Sequence, residues 1–152
     1  MATQLNINGE MYDYHGDPRS SLVNVLRETF QMTGSKATCM EGFCGTCTVL
    51  IDGEPAVSCL KAVGTLSGKE IVTIEGIANN GLNPVQKAFE EYDVVQCGMC
   101  FPGIIITISY LLSQNSTPTR EEVKSAMTGN ICRCTGYERI IDAVMSIGND
   151  GG

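Results

Sequence analysis

Eight cysteines in 152 residues constrain this chain more than any other feature, because they fall into two groups of four with different spacings. Cys39, Cys44, Cys47 and Cys59 lie in TCMEGFCGTCTVLIDGEPAVSC; Cys97, Cys100, Cys132 and Cys134 lie in QCGMCFPG and NICRCTGY. Whatever the fold, it has reason to gather each group. Cys132 and Cys134 sit one residue apart around Arg133, a spacing that rarely closes a comfortable disulfide. An even cysteine count invites a disulfide framework, but MATQLNINGE has neither the positive n-region nor the apolar h-region of a secretory signal. A cytoplasmic, reducing setting is therefore expected, where cysteines this dense are more often held by metal or used in redox chemistry.

The rest of the composition removes other classes. A formal charge of -7 with 10 Lys and Arg, and no basic stripe interleaved with aromatics, excludes nucleic acid as a partner. The longest apolar run, Ile104 to Leu112 with Thr107 and Ser109 inside it, is shorter than the ~20 residues that span a bilayer, so it predicts a core segment and no membrane span. No G-x-G-x-x-G, Walker loop or nucleophile-base pair occurs, so no catalytic residues are assigned to this chain. His15 is the single histidine, which excludes a Rieske-type centre and predicts a surface side chain.

Local patterns divide the chain into an α+β first half and a helical second half. Asn8-Gly9 predicts a hairpin between LNI from Leu5 and MYDY from Met11, and Asp52-Gly53 predicts another, pairing residues 48–51 with 56–59. Asp17-Pro18 predicts a capped helix over about 19–30, and residues 70–74 predict a further strand. After an Asn79-Asn80-Gly81 turn the spacing becomes helical. Asn83-Pro84 opens a helix to about Glu91, and Phe101-Pro102 opens one to about Ser113. Thr119 with Glu122 and Thr135 with Glu138 form capping boxes for two more, the last ending before Gly148 ahead of a loose NDGG tail. The boundary implies domains at 1–77 and 78–152.

The cysteines divide at the same boundary. C-x4-C-x2-C followed by a fourth cysteine after 11 residues is the plant-type [2Fe-2S] ferredoxin spacing. Gly42 and Gly45 suit a loop that must take unusual torsions and turn its amides toward sulfur. A thioredoxin-like pair at Cys44 and Cys47 would leave Cys39 and Cys59 without a role, and structural zinc favours paired C-x2-C knuckles. For the second group, Cys97 and Cys100 head one helix, and Cys132 and Cys134 lie on one turn that can face them; helix starts favour thiolates. Phe101 stands where c-type haem attachment needs histidine. By spacing alone, zinc and an iron–sulfur cluster both stay open here.

Taken together, EGFCGTCTV followed by SC, then QCGMCFPGI and GNICRCTGYERI, resemble the small iron–sulfur subunit of the molybdenum hydroxylases, the xanthine dehydrogenase, aldehyde oxidoreductase and carbon monoxide dehydrogenase family. The resemblance runs from the first strand to about Ile147 and uses all eight cysteines. It implies a β-grasp ferredoxin-like domain followed by a four-helix bundle, each with one [2Fe-2S] cluster. It implies that Gln96 hydrogen-bonds a pterin and that the sulfur of Cys134 lies beside the pterin amine. The implied partners are a large subunit holding molybdopterin, in its cytosine dinucleotide form, and an FAD-binding or haem-containing acceptor. Electrons would pass singly from molybdenum through both clusters, during oxidation of an aldehyde, an N-heterocycle or carbon monoxide. The competing reading is a free-standing ferredoxin-like carrier with a zinc-stabilised helical domain. Met40, Phe43 and Thr46 depart from residues more often small or polar in the family, and Met99 and Phe101 flank the second group; none removes a ligand.

Overall fold

The computed structural model describes residues 1–78 and 80–149. Its first half is a five-stranded sheet of order β2-β1-β5-β3-β4. β1 (Thr3–Ile7) and β2 (Glu10–Tyr14) form one hairpin; β3 (Thr48–Ile51) and β4 (Glu54–Val57) form the other. β5 (Glu70–Val72) joins them, parallel to β1 and antiparallel to β3. Both hairpin turns carry positive φ at each central residue, Asn8 at 55° and Gly9 at 83°, Asp52 at 51° and Gly53 at 83°. That is the mirror-image turn whose twist matches paired strands. It pins the second register at Ile51 opposite Glu54. β4 therefore spans Glu54–Val57, two residues earlier than the 56–59 expected, and Ser58–Leu60 curls into a 3-10 turn.

The helix expected over 19–30 begins later, as α1 (Leu22–Asn24), and continues as a π-helical stretch, Val25–Thr29. Asp17 is spent on a turn: its carboxylate accepts the Arg19 N–H at 2.9 Å and its carbonyl the Ser20 N–H at 2.9 Å. The next residues pair with 61–63 instead, Leu22 donating to Lys61 O and Val63 to Ser20 O. The wide helical turn that follows buries Leu22 and Leu26 against Leu5, Ile7, Val49 and Ile71, all at 0% exposure. Each such burial contributes roughly 1.5–3 kcal/mol.

The second half consists of α2 (Pro84–Glu91), α3 (Phe101–Gln114), α4 (Arg120–Ala126) and α5 (Glu138–Asn149). Capping boxes at Asn83/Gln86 and Thr119/Glu122 start α2 and α4. Their core gathers Val85, Phe89, Ile104, Ile108, Val123, Ile140 and Val144, with Phe89 edge-on to Phe101 at 5.1 Å. The β-branched run in α3 stays helical because nearly every side of it is covered. α5 runs past Gly148 to Asn149, and Thr135 does not cap it. The 150–152 part of the expected tail and Asn79 of the expected turn lie outside the described residues. Among the described residues no helix is long and apolar enough to cross a membrane. The fold is thus mixed α+β, with five strands and five α-helices among the described residues.

The two halves meet along a glycine seam. α3 packs on β3 and β4. The Asn130 side chain, 5% exposed, donates to Gly45 O at 3.2 Å, and Ile131 N–H donates to Cys44 O at 2.9 Å. Gly103, in the first turn of α3, lies flat on the Gly45 carbonyl, with no room for a Cβ.

Candidate metal centres

All eight cysteines are free thiols. The first centre is a loop between the π-helical stretch and β3. Met40, Gly42 and Gly45 take positive φ (57°, 75° and 73°), which turns successive amides inward. Glu41, Phe43 and Cys44 each donate a main-chain N–H to Cys39 Sγ at 3.4 Å. These donors, Glu41 first, hold the Cys39 thiol down at about 6. Cys47 opens β3, and the 3-10 turn after β4 sets Cys59 behind it: Ser58 Oγ donates to Cys47 O at 2.6 Å and Cys59 N–H to Cys47 Sγ at 3.4 Å. Burial, then Cys47, pushes Cys59 up to about 11. The sulfurs pair as Cys39 with Cys44 and Cys47 with Cys59, and Cys39 adds to the field at Cys59.

The second centre joins the loop before α3 to the turn before α5. Cys100 is the N-cap of α3, and Gly98 (φ 80°) bends the chain between Cys97 and Cys100. Cys100 and Cys132 are buried; Gln96, Cys97 and Cys134 are exposed. Here too the sulfurs pair, Cys100 with Cys132 and Cys97 with Cys134. Burial, then Cys132, pushes Cys100 up to about 12. At Cys132 burial acts upward, but hydrogen bonds from Thr135 and the contact with Cys100 outweigh it and leave the thiol below its ordinary value. Cys134 is raised, chiefly by its partner Cys97.

The donor sets fit a two-iron cluster. Two irons bridged by sulfide each require two thiolates, and each set of four cysteines has the donor chemistry to supply them. Among the described residues no group of three or more His, Cys, Asp or Glu side chains is gathered closely enough to hold a metal ion. The raised values at Cys59 and Cys100 mean that those protons leave when metal binds.

Sequence reasoning placed Thr135 in a capping box and overlooked Tyr137. In the structure Thr135 Oγ1 sits 3.0 Å from Cys132 Sγ and accepts the Tyr137 N–H at 3.2 Å. Tyr137 itself is at φ 70°, strained for an aromatic residue, and its phenol oxygen accepts the Cys132 N–H at 2.8 Å. Thr46 approaches Cys44 Sγ at 3.2 Å in the first centre. Asn130 and Ile131, which tie the second centre to the first, carry no local pattern that marks them.

Two protein-family profiles match, a 2Fe-2S iron-sulfur cluster binding domain over residues 8–95 and a [2Fe-2S] binding domain over 73–145. The chain is 45% identical to the nicotinate dehydrogenase small FeS subunit of Eubacterium barkeri, over 92% of this chain and 90% of that one. Among solved structures it resembles quinoline 2-oxidoreductase from Pseudomonas putida 86 (TM-score 0.92, 41% identity, covering 98% of this chain and 94% of that chain). It also resembles the aldehyde oxidoreductase of Desulfovibrio desulfuricans (TM-score 0.92, 37% identity), covering 98% of this chain and 17% of that longer one.

Proposed function

Because this chain belongs to the iron–sulfur subunits of the molybdenum hydroxylases, electron-transfer subunits of oxidoreductase complexes that leave substrate chemistry to a partner, we propose that it carries electrons one at a time between a molybdenum site in a large subunit and FAD or another acceptor. The observation that carries this reading is the first cysteine loop, where Glu41, Phe43 and Cys44 aim main-chain N–H groups at Cys39 Sγ and the Cys59 N–H reaches Cys47 Sγ. When bound, each [2Fe-2S] cluster supplies one-electron redox chemistry.

In this reading residues 1–77 form a β-grasp ferredoxin-like domain whose Cys39, Cys44, Cys47 and Cys59 hold one cluster. Residues 78–152 form a four-helix bundle whose Cys97, Cys100, Cys132 and Cys134 hold the other. Cys39, Cys44, Cys47 and Cys59 would hold the irons of one cluster, and Cys97, Cys100, Cys132 and Cys134 those of the other. The amides around Cys39 stabilise negative charge on sulfur, while burial of Cys59 and Cys100 keeps water from their side of each centre.

The exposed side of the second centre faces the large subunit. Gln96, which is exposed, hydrogen-bonds the pterin, and Cys134 lies against it. The cofactor there is molybdopterin in its cytosine dinucleotide form, the acceptor side is an FAD-binding or haem-containing subunit, and the complex works in the cytoplasm. The names of two similar proteins, acting on nicotinate and quinoline, favour an N-heterocycle over an aldehyde or carbon monoxide as the partner's substrate.

The experiment is a metal and sulfide count on the purified chain with EPR after reduction. Four irons, four labile sulfides and two distinguishable signals are expected. One zinc with two irons would sink the second cluster and leave the free carrier with a zinc-stabilised helical domain.

A further inference from the structure

We propose that the Thr135 hydroxyl sets the potential of the second centre, by donating a hydrogen bond to the Cys132 sulfur that favours the reduced state. This rests on the two-cluster reading above. A ligating thiolate has no proton to give, so in the 3.0 Å contact between Thr135 Oγ1 and Cys132 Sγ the hydroxyl must be the donor. The Thr135 oxygen is already engaged as an acceptor, because the Tyr137 N–H points into it at 3.2 Å. Its one hydrogen is thereby left for sulfur.

The strained φ of Tyr137 has a use here, since it turns that N–H back toward Thr135 while its phenol oxygen receives the Cys132 N–H. Strain of this kind persists where surrounding contacts over-determine it. The first centre has a weaker version of this contact. Thr46 also lies 3.2 Å from a sulfur, Cys44, but Lys36 O and Thr38 Oγ1, each at 3.1 Å, compete for its one hydrogen. The two threonines differ in how many acceptors contend for the hydroxyl proton.

Adding an electron places extra negative charge on the sulfurs, and a donor aimed at one of them stabilises the reduced form. Thr135→Val keeps the branched shape and removes the donor, so the midpoint potential of the second cluster should fall. Thr135→Ser should restore it, while the first cluster serves as an unmoved internal reference. The assay is an EPR-monitored redox titration of the assembled complex, after iron, sulfide and zinc have been counted.

Two irons and one zinc in the unaltered chain would defeat the two-cluster reading itself. Four irons in Thr135→Val with an unmoved potential would overturn this inference alone. An equal fall in Thr135→Val and Thr135→Ser would also overturn it, because shape and not the hydroxyl would then be at work. If Thr135→Val loses the second cluster, Thr135→Ala takes its place. Loss in both with Thr135→Ser intact would show that the hydroxyl holds the site together, and the potential assignment would be withdrawn.

Discussion

Gly103→Ala sets two physical effects against each other, and the structure decides the sign. Helix propensity alone favours the change: alanine is up to about 1 kcal/mol better than glycine inside a helix, and Gly103 has no positive φ to protect. Packing opposes it. A Cβ at 103 would fall on the Gly45 carbonyl oxygen, far inside contact distance, with the Gly45 carbonyl carbon at 3.1 Å and Asn130 Nδ2 at 3.2 Å. Those atoms cannot simply step aside. Gly45 lies between Cys44 and Cys47 in the first cysteine loop, and its oxygen already accepts the Asn130 side chain and the Thr48 hydroxyl. Overpacking costs about 1–3 kcal/mol, and a buried donor left without its acceptor about 1–3 more. The net expectation is a loss of roughly 2–3 kcal/mol. With a urea dependence of about 1–3 kcal/mol per molar, the midpoint should drop by about 1 M or more. The assay is anaerobic urea unfolding of the cluster-loaded chain, followed by far-UV circular dichroism and cluster absorbance. An unchanged or raised midpoint would refute the seam as a tight contact and leave helix propensity as the governing effect.

Cys59→Ser should damage the first cluster and spare the second, since the ligand sets do not mix; loss of both EPR signals in a still-folded variant would refute that independence. Gln96→Ala removes one hydrogen bond worth ~0.5–1.5 kcal/mol net while keeping every thiolate. Iron content should hold, while rapid-mixing reduction of the complex by substrate shows slower transfer from molybdenum to the second cluster or a loosened pterin. Unchanged kinetics and cofactor retention would leave Gln96 as an ordinary exposed residue.

Much of the fold was legible because its signals are local. Pro84 and Pro102 mark the first turns of α2 and α3, and Asn8-Gly9 and Asp52-Gly53 mark both hairpins. What escaped depends on distant partners. The start of α1 shifts because Ser21 bridges to Ala62, 41 residues away in sequence by the difference of the two numbers. Thr135 reads as a helix cap, but α5 begins only at Glu138, and the Thr135 oxygen accepts the Tyr137 N–H while lying 3.0 Å from Cys132 Sγ. The cysteine groups were readable from spacing, yet the way they pair was not, because pairing depends on loops converging from separate elements. Asn130 was invisible for the same reason: its side-chain hydrogen bond to Gly45 O lies in the other half of the chain.

The seam also limits how such a chain can be recombined. Each half has its own hydrophobic core, which suggests interchangeable modules, but the surfaces that meet are made of missing side chains and shared main-chain hydrogen bonds. A chimaera joining the first half of one relative to the second half of another would have to transplant Gly45, Gly103, Asn130 and the backbone path through Ile131 as a matched set. The cysteines alone would still specify two binding sites, but at a spacing and angle to one another that the new junction would set at random.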